Sequence, residues 1–156
     1  MKKFFAIALV ALAALVSLSS CNKEEKTGSI VGTWKCVDAS GFISISVANI
    51  ISTSFNLNDP DSGVEFKDTA FKFTEDGEFY VDGVRQGTYT YADGTLKVDY
   101  TDKTDVSANV PFNVKKLNSD TLVLTANYSY STAYEEIPEL TMDVTINGDF
   151  SFTRVE

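Results

Sequence analysis

The sequence contains no histidine, and this absence limits the chemistry open to the chain. Histidine is the commonest general acid or base near neutral pH and the commonest zinc ligand. The adjacent acidic pair Glu135-Glu136 does not replace it, because neighbouring residues of a strand point to opposite faces and cannot act on one bond. We therefore expect no catalytic residues, no cofactor and no metal site.

Cysteine is almost as scarce, with only Cys21 and Cys36. If Cys21 carries a lipid, as argued next, Cys36 has no partner for an internal disulfide. A lone cysteine in a strand is most often a small buried apolar residue. A reactive thiolate needs an activating neighbour, and the chain has no histidine to supply one. We therefore assign Cys36 to the core.

The longest apolar run is too short for a transmembrane helix. It covers residues 4–18, behind Lys2 and Lys3, whereas a membrane-spanning helix needs about 20 residues. Such a run suits a signal peptide. Its end, Leu18-Ser19-Ser20-Cys21, resembles the lipobox of bacterial lipoproteins. The resemblance implies cleavage before Cys21 and attachment of acyl chains, such as palmitate, to it; ordinary secretory cleavage without lipid is the alternative.

This interpretation divides the chain into a signal peptide (1–20), a lipid-anchored tether (21–29) and one folded domain (30–156). Two or more acyl chains anchor a protein stably. In many Gram-negative lipoproteins an aspartate after the lipidated cysteine retains the protein in the inner membrane. The resemblance therefore implies that Asn22, at this position, favours the outer membrane. Lys23-Glu24-Glu25 is similar to a signal for export to the cell surface, although a plain charged tether explains it equally well. We expect a lipid-anchored outer-membrane protein, with cell-surface exposure left open.

Basic residues are few, with 13 Lys and Arg against 22 Asp and Glu, for a net charge of −9. Loss of residues 1–20 would remove two lysines and no acid, which makes the charge −11. Such an excess argues against nucleic acid or anionic lipid surfaces as partners. The remaining 136 residues suit a single domain with a sizeable core.

From residue 69 onward, apolar and polar residues alternate over short segments, which predicts β-strands. Asp-Gly at 82–83 and 93–94, and Asn-Gly at 147–148, are typical of tight turns. One apolar face per strand predicts an antiparallel meander, and closure removes its exposed edges. We therefore predict an all-β fold, an antiparallel meander closed into a barrel of about 8–10 strands.

Residues 39–65 are ambiguous. Ile43, Ile45 and Val47 alternate with serines, which favours a strand. Ile43, Val47, Ile50 and Ile51 also fit one face of a helix, although serines and β-branched residues would make that helix weak. We interpret the segment as an insertion or a lid at the barrel mouth.

Several motifs occur in a fixed order between residues 30 and 156: Ile30-Val31-Gly32-Thr33-Trp34-Lys35, Phe71-Lys72-Phe73 with Asp76-Gly77, Gly87-Thr88-Tyr89-Thr90-Tyr91, Asp120-Thr121-Leu122, and Phe152-Thr153-Arg154. In that order they resemble the bacterial lipocalin-like lipoprotein domain. In lipocalins the Gly-x-Trp strand closes the barrel base and a late arginine packs across the indole. The resemblance therefore assigns Trp34 and Arg154 to structural barrel closure.

The candidate ligand-binding residues are large apolar or aromatic residues on the inward parity of the predicted strands: Phe71, Phe73, Tyr89, Tyr91, Tyr100, Phe112, Leu122 and Leu124. An eight-stranded barrel either holds one small ligand or fills with its own side chains. An open barrel would bind a small apolar or amphipathic ligand without catalysis, oriented by tyrosine hydroxyls. A filled barrel would be a structural or protein-interaction module, for which the tyrosines of residues 127–134 are suited.

Overall fold

The computed structural model describes residues 27–59, 66–101, 110–134 and 137–155. Within these ranges the secondary structure consists of β-strands joined by turns, and no helix occurs. The strands are β1 (Gly32–Val47), β2 (Ile51–Asn56), β3 (Ala70–Phe73), β4 (Glu78–Val81), β5 (Val84–Ala92), β6 (Thr95–Tyr100), β7 (Val110–Leu117), β8 (Thr121–Tyr134) and β9 (Ile137–Val155). The predicted all-β class is confirmed.

The strands form one antiparallel sheet that closes on itself. Each strand from β3 to β8 pairs with the strand that follows it, and β1 pairs with both β3 and β9. These eight strands make the closed barrel, while β2 pairs with β1 outside it. The predicted closed antiparallel barrel is therefore confirmed, with nine strands among the described residues.

Two of the predicted tight turns are present and one is not. Asp82-Gly83 and Asp93-Gly94 have positive φ at both residues, which is the conformation of a type I′ hairpin. Asn147-Gly148, predicted as a turn, lies instead inside β9, where Gly148 pairs with Gly41 and Ala126. A Cβ on Gly148 would collide with the side chain of Leu57, so this glycine provides space rather than a turn.

One end of the barrel is closed by the chain itself. The N–H groups of Thr27 and Gly28 donate to the carbonyl of Leu117 at 3.0 and 3.2 Å. Ile30 and Trp34 are buried beside them. The described chain therefore enters the fold at this end, which we call the closed end.

The other end carries a four-stranded extension beyond the barrel. Phe42–Val47 of β1 pairs with β2 on one side and with residues 142–147 of β9 on the other. The adjoining part of β8, residues 127–134, pairs with β9. Of the two interpretations left open for residues 39–65, the strand is the one found for 42–47 and 51–56, while 60–65 lie outside the described residues.

Candidate functional site

A cavity of about 240 Å³ lies inside the barrel. Its wall is built from aromatic and aliphatic side chains that six of the strands direct inward, together with Phe66 from the loop before β3. The lining residues are Phe66, Phe71, Phe73, Phe79, Leu96, Val98, Tyr100, Val110, Phe112, Leu124, Ala126, Tyr130, Ile146, Phe150 and Phe152. A concave, mostly apolar space with few polar groups is typical of a small-molecule site.

The aromatic rings pack along the wall rather than across the barrel axis. Phe73 and Phe79 are directly opposed on β3 and β4 and stack with ring centroids 5.2 Å apart. Phe71 stacks on Phe79 at 5.8 Å and meets Phe152 edge-to-face at 5.2 Å. These rings pack against one another in the wall that surrounds the cavity.

The mouth of the cavity lies at the end of the barrel away from Trp34. Phe66, Phe112, Tyr130 and Ile146 are partly exposed there, whereas Phe73, Phe79, Leu96 and Phe152 are buried nearer the closed end. Tyr130 and Ile146 belong to the extension, so the cavity wall continues onto the inner face of the extension.

The described residues that line the cavity carry no charge. Among the described lining residues, only Tyr100 and Tyr130 have side-chain hydrogen-bonding groups. Desolvation by burial raises the pKa of the Tyr100 hydroxyl above its usual value. An ionised ligand group would therefore find no counter-charge in this wall.

The structure brings five of the eight predicted ligand-binding residues to the cavity wall: Phe71, Phe73, Tyr100, Phe112 and Leu124. Three others lie elsewhere. The Tyr89 hydroxyl donates to the carbonyl of Thr74 at 2.7 Å, Tyr91 is partly buried against the core cluster, and Leu122 is fully buried. Ligand binding by any of the eight residues stays a prediction.

Sequence reasoning missed several lining residues. Phe66 follows a segment with no clear periodicity, so no signal marked it; it meets Phe150 edge-to-face at 5.1 Å. Tyr130 was noted only as a possible docking residue, although the inward parity of Leu122 and Leu124 extends to it along β8. Ile146 lies on the alternating face of β9 and could have been found from that alternation.

At the closed end, the guanidinium of Arg154 lies over the Trp34 ring, 4.2 Å from its centroid. Its three nitrogens donate to the carbonyls of Ser119, Val31 and Ser29 at 2.6, 2.9 and 2.7 Å. The indole Nε1 of Trp34 donates to the carbonyl of Ile30 at 2.8 Å. These contacts tie the N-terminal segment, the turn before β8 and the last strand together.

Gly32 makes room for this arrangement. A Cβ built on Gly32 would collide with Nη1 of Arg154, and its φ of 141° is one that L side chains rarely adopt. The glycine of the Gly-x-Trp motif is therefore required by the position of the guanidinium as well as by its own backbone.

The remaining predictions concern the two cysteines, a metal site and the acidic pair. Cys36 is buried, and burial raises the pKa of its thiol to about 11. Among the described residues, no group of three or more Asp, Glu or Cys side chains is placed to hold a metal ion. Cys21 and the pair Glu135-Glu136 lie outside the described residues.

A search of the described ranges for a helix able to cross a membrane finds none.

Comparison with known proteins gives one match. Residues 30–124 fit the sequence model of a family described as the lipocalin-like domain. This range covers β1 to β7 and the start of β8, and includes Trp34 and most of the cavity wall. No curated protein and no solved structure matches the chain.

Proposed function

This chain belongs to the lipocalin-like domain family, and we propose that it acts as a lipid-anchored binding protein that takes up a small, largely apolar molecule without transforming it. The lipocalin-like barrel is a ligand-binding type of fold. Binding and catalysis would be separate here, since the cavity wall offers hydrocarbon side chains and two tyrosines but no general base or nucleophilic pair.

The apolar cavity is the observation that carries the proposal. Its volume of about 240 Å³ exceeds the ~150 Å³ of an apolar cavity that binds benzene. A barrel that served only as a scaffold would gain stability by filling that space, because each missing methylene in a core costs about 1 kcal/mol. Retention of the space fits a binding role.

The proposed anchor sets the direction in which the mouth faces. Only five residues lie between Cys21 and Thr27, which lies at the closed end, so the tether reaches at most about 20 Å. The fourteen residues from Trp34 to Val47 span about 43 Å as a strand. A lipid on Cys21 would therefore hold the closed end near the membrane, with the mouth and extension turned away, and ligand would enter from the aqueous side.

Native mass spectrometry tests the binding role. The protein would be exported behind a conventional leader with Cys21→Ala, so that it folds in its own envelope but stays soluble, and would be purified without detergent. We expect a reproducible adduct that is lost on denaturation. A bare mass, together with no uptake of an apolar fluorescent probe by the native protein, would refute the binding role.

Membrane anchoring is tested separately with the natural leader. The unchanged chain should sediment with the outer membrane and incorporate radiolabelled palmitate. Cys36→Ala, the matched control at the other cysteine, should behave like the unchanged chain. Cys21→Ala should lose the label. A labelled Cys21→Ala variant would contradict attachment at this residue.

A second candidate function rests on the tip and edge of the extension. Ile50 and Ile51 are 84% and 67% exposed at the β1–β2 hairpin, and residues 39–58 contain no charged side chain. An uncharged edge strand with exposed apolar residues is a site for strand addition by another chain. A protein partner captured by the wild type but lost with Ile50→Lys would support this interaction role.

A further inference from the structure

The proposed binding role leaves the chemical class of the ligand open, and the cavity wall restricts it. The wall consists of hydrocarbon side chains apart from Tyr100 and Tyr130. Tyr130 lies on the extension and stacks against Tyr128 with centroids 5.9 Å apart. Tyr100 lies at the end of β6, inside the barrel, with its ring edge-to-face on Phe79 at 6.0 Å.

The hydroxyl of Tyr100 differs from that of Tyr89. Tyr89 donates to the carbonyl of Thr74, whereas no hydrogen bond joins the Tyr100 hydroxyl to another residue in the part of the chain that the structure describes. Burial is the cause that raises the pKa of Tyr100. A hydroxyl in an apolar wall loses its hydration when a ligand fills the space beside it, so a polar atom of the bound molecule would gain by pairing with it.

The size of the cavity limits the apolar part of the ligand. An apolar cavity of ~150 Å³ accommodates one benzene ring. The present cavity, about 240 Å³, has roughly one and a half times that volume. It therefore has room for a compact two-ring skeleton of roughly ten carbon atoms. A long acyl chain would extend through the mouth onto the extension.

The absence of charge in the wall limits the polar part. A buried carboxylate or ammonium group with no counter-charge loses its hydration without compensation. A hydroxyl or carbonyl group needs only one hydrogen bond, which a tyrosine hydroxyl can donate or accept. The wall thus discriminates against organic acids and amines of the same shape.

We infer that the cavity takes an uncharged compound of about two fused rings that carries one hydroxyl or carbonyl group, held by a hydrogen bond to the hydroxyl of Tyr100. This inference rests on the proposed binding function and specifies its ligand class. The aromatic walls formed by Phe71, Phe73 and Phe112 supply the ring contacts, and Tyr100 fixes the orientation of the molecule.

The test uses three probes of one shape: naphthalene, 2-naphthol and 2-naphthoate. Residues 21–156 would be produced without the leader, so that no lipid is attached. This chain contains every buried apolar residue of the described fold, from Ile30 to Phe152. Isothermal titration calorimetry at neutral pH should show binding of naphthalene and tighter binding of 2-naphthol. For 2-naphthoate we expect affinity at least ~100-fold below that of 2-naphthol.

Tyr100→Phe isolates the hydrogen bond. Loss of one neutral hydrogen bond should weaken 2-naphthol about 3- to 10-fold and leave naphthalene unchanged. Tyr91→Phe is the matched control, since Tyr91 lies outside the cavity wall, and it should alter neither affinity. Thermal unfolding of both variants checks that the barrel is intact.

The outcomes separate the inference from the function on which it rests. If Tyr100→Phe weakens the affinities for naphthalene and 2-naphthol equally, or weakens neither, the ligand class is overturned and the binding function stands. Binding of 2-naphthoate as tight as that of 2-naphthol would do the same. Failure of the native protein to bind either uncharged probe would overturn both.

Discussion

Replacement of Arg154 by methionine should destabilise the barrel more than any exposed charge substitution. Methionine keeps an unbranched apolar stem over the indole of Trp34, so the change removes the guanidinium alone. That group makes three hydrogen bonds to backbone carbonyls and lies 4.2 Å from the ring centroid. The variant therefore measures what the guanidinium contributes to closure of the barrel.

The magnitude follows from the exposure of these contacts. The bonds to Ser119 and Ser29 are exposed and the one to Val31 is partly buried, so each is worth roughly 0.5 kcal/mol, the low end for hydrogen bonds. The contact with the fully buried Trp34 ring adds about 1 kcal/mol. We expect the free energy of unfolding to fall by about 2–3 kcal/mol.

Urea unfolding followed by tryptophan fluorescence is the direct assay, because Trp34 is the single tryptophan and reports on the closed end. At a slope of about 2 kcal/mol/M, the midpoint should fall by roughly 1–1.5 M. Arg154→Lys keeps the charge but cannot donate to three carbonyls from a planar fork, so it should recover less than half of the loss.

Arg85→Met is the matched control. Arg85 pairs with Glu78 at 2.8 Å, but both side chains are more than a third exposed, and such pairs contribute little. Its midpoint should stay within error of the wild type. An Arg154→Met midpoint shift no larger than that of Arg85→Met would show that the guanidinium does not hold the closed end together.

Three further predictions concern other parts of the barrel. Gly32→Ala should lower the urea midpoint strongly in the wild type and less in an Arg154→Ala background, because the second background removes the collision with Nη1 of Arg154 while the backbone strain persists. Equal midpoint losses in the two backgrounds would contradict the collision. Cys36, with its thiol pKa raised to about 11, should react slowly with a disulfide reagent at mildly alkaline pH while the protein is folded. The contribution of the neutral thiol to stability is complete below the ordinary pKa of 9.0 and should be lost as pH rises toward 11. Cys36→Ala should not show this loss. Lys115→Met should lower the midpoint only slightly at neutral pH, because the Lys115–Asp149 pair is more than a third exposed and such pairs contribute little. Lys115 lowers the pKa of Asp149 below 3.8, so this small stabilisation should disappear as pH falls through the lowered pKa; a difference that persists in acid would refute the ion pair as its source.

The barrel was predictable because its strands obey simple alternation. Phe71 and Phe73 on β3, and Leu122 and Leu124 on β8, keep one parity from end to end. The first strand does not. A bulge between Cys36 and Asp38 shifts the parity by one, so that Ala39 becomes buried and the apolar face resumes out of phase. Period-two reasoning cannot follow a strand across such a bulge, which is why residues 39–65 stayed ambiguous.

The length of β1 and β9 was hidden for a related reason. Gly41 and Gly148, which pair with each other, resemble turn glycines in the sequence. A Cβ on Gly41 would collide with the carbonyl of Asn147, and a Cβ on Gly148 would collide with the carbonyl of Ser40 and the side chain of the buried Leu57. A glycine required by a residue far away in the sequence carries no local signal, so the extension could not be predicted.

Whether the barrel is open or filled is the question that parity alone leaves undecided. Parity says that a ring points inward, not how it tilts once there. The ring of Phe79 stacks on Phe73 and Phe71, with centroids 5.2 and 5.8 Å apart, because β3 and β4 are adjacent and place these rings side by side. Offset rings at such distances gain more than rings isolated across a barrel axis. The same aromatic residues that could have filled the barrel instead line a cavity of about 240 Å³.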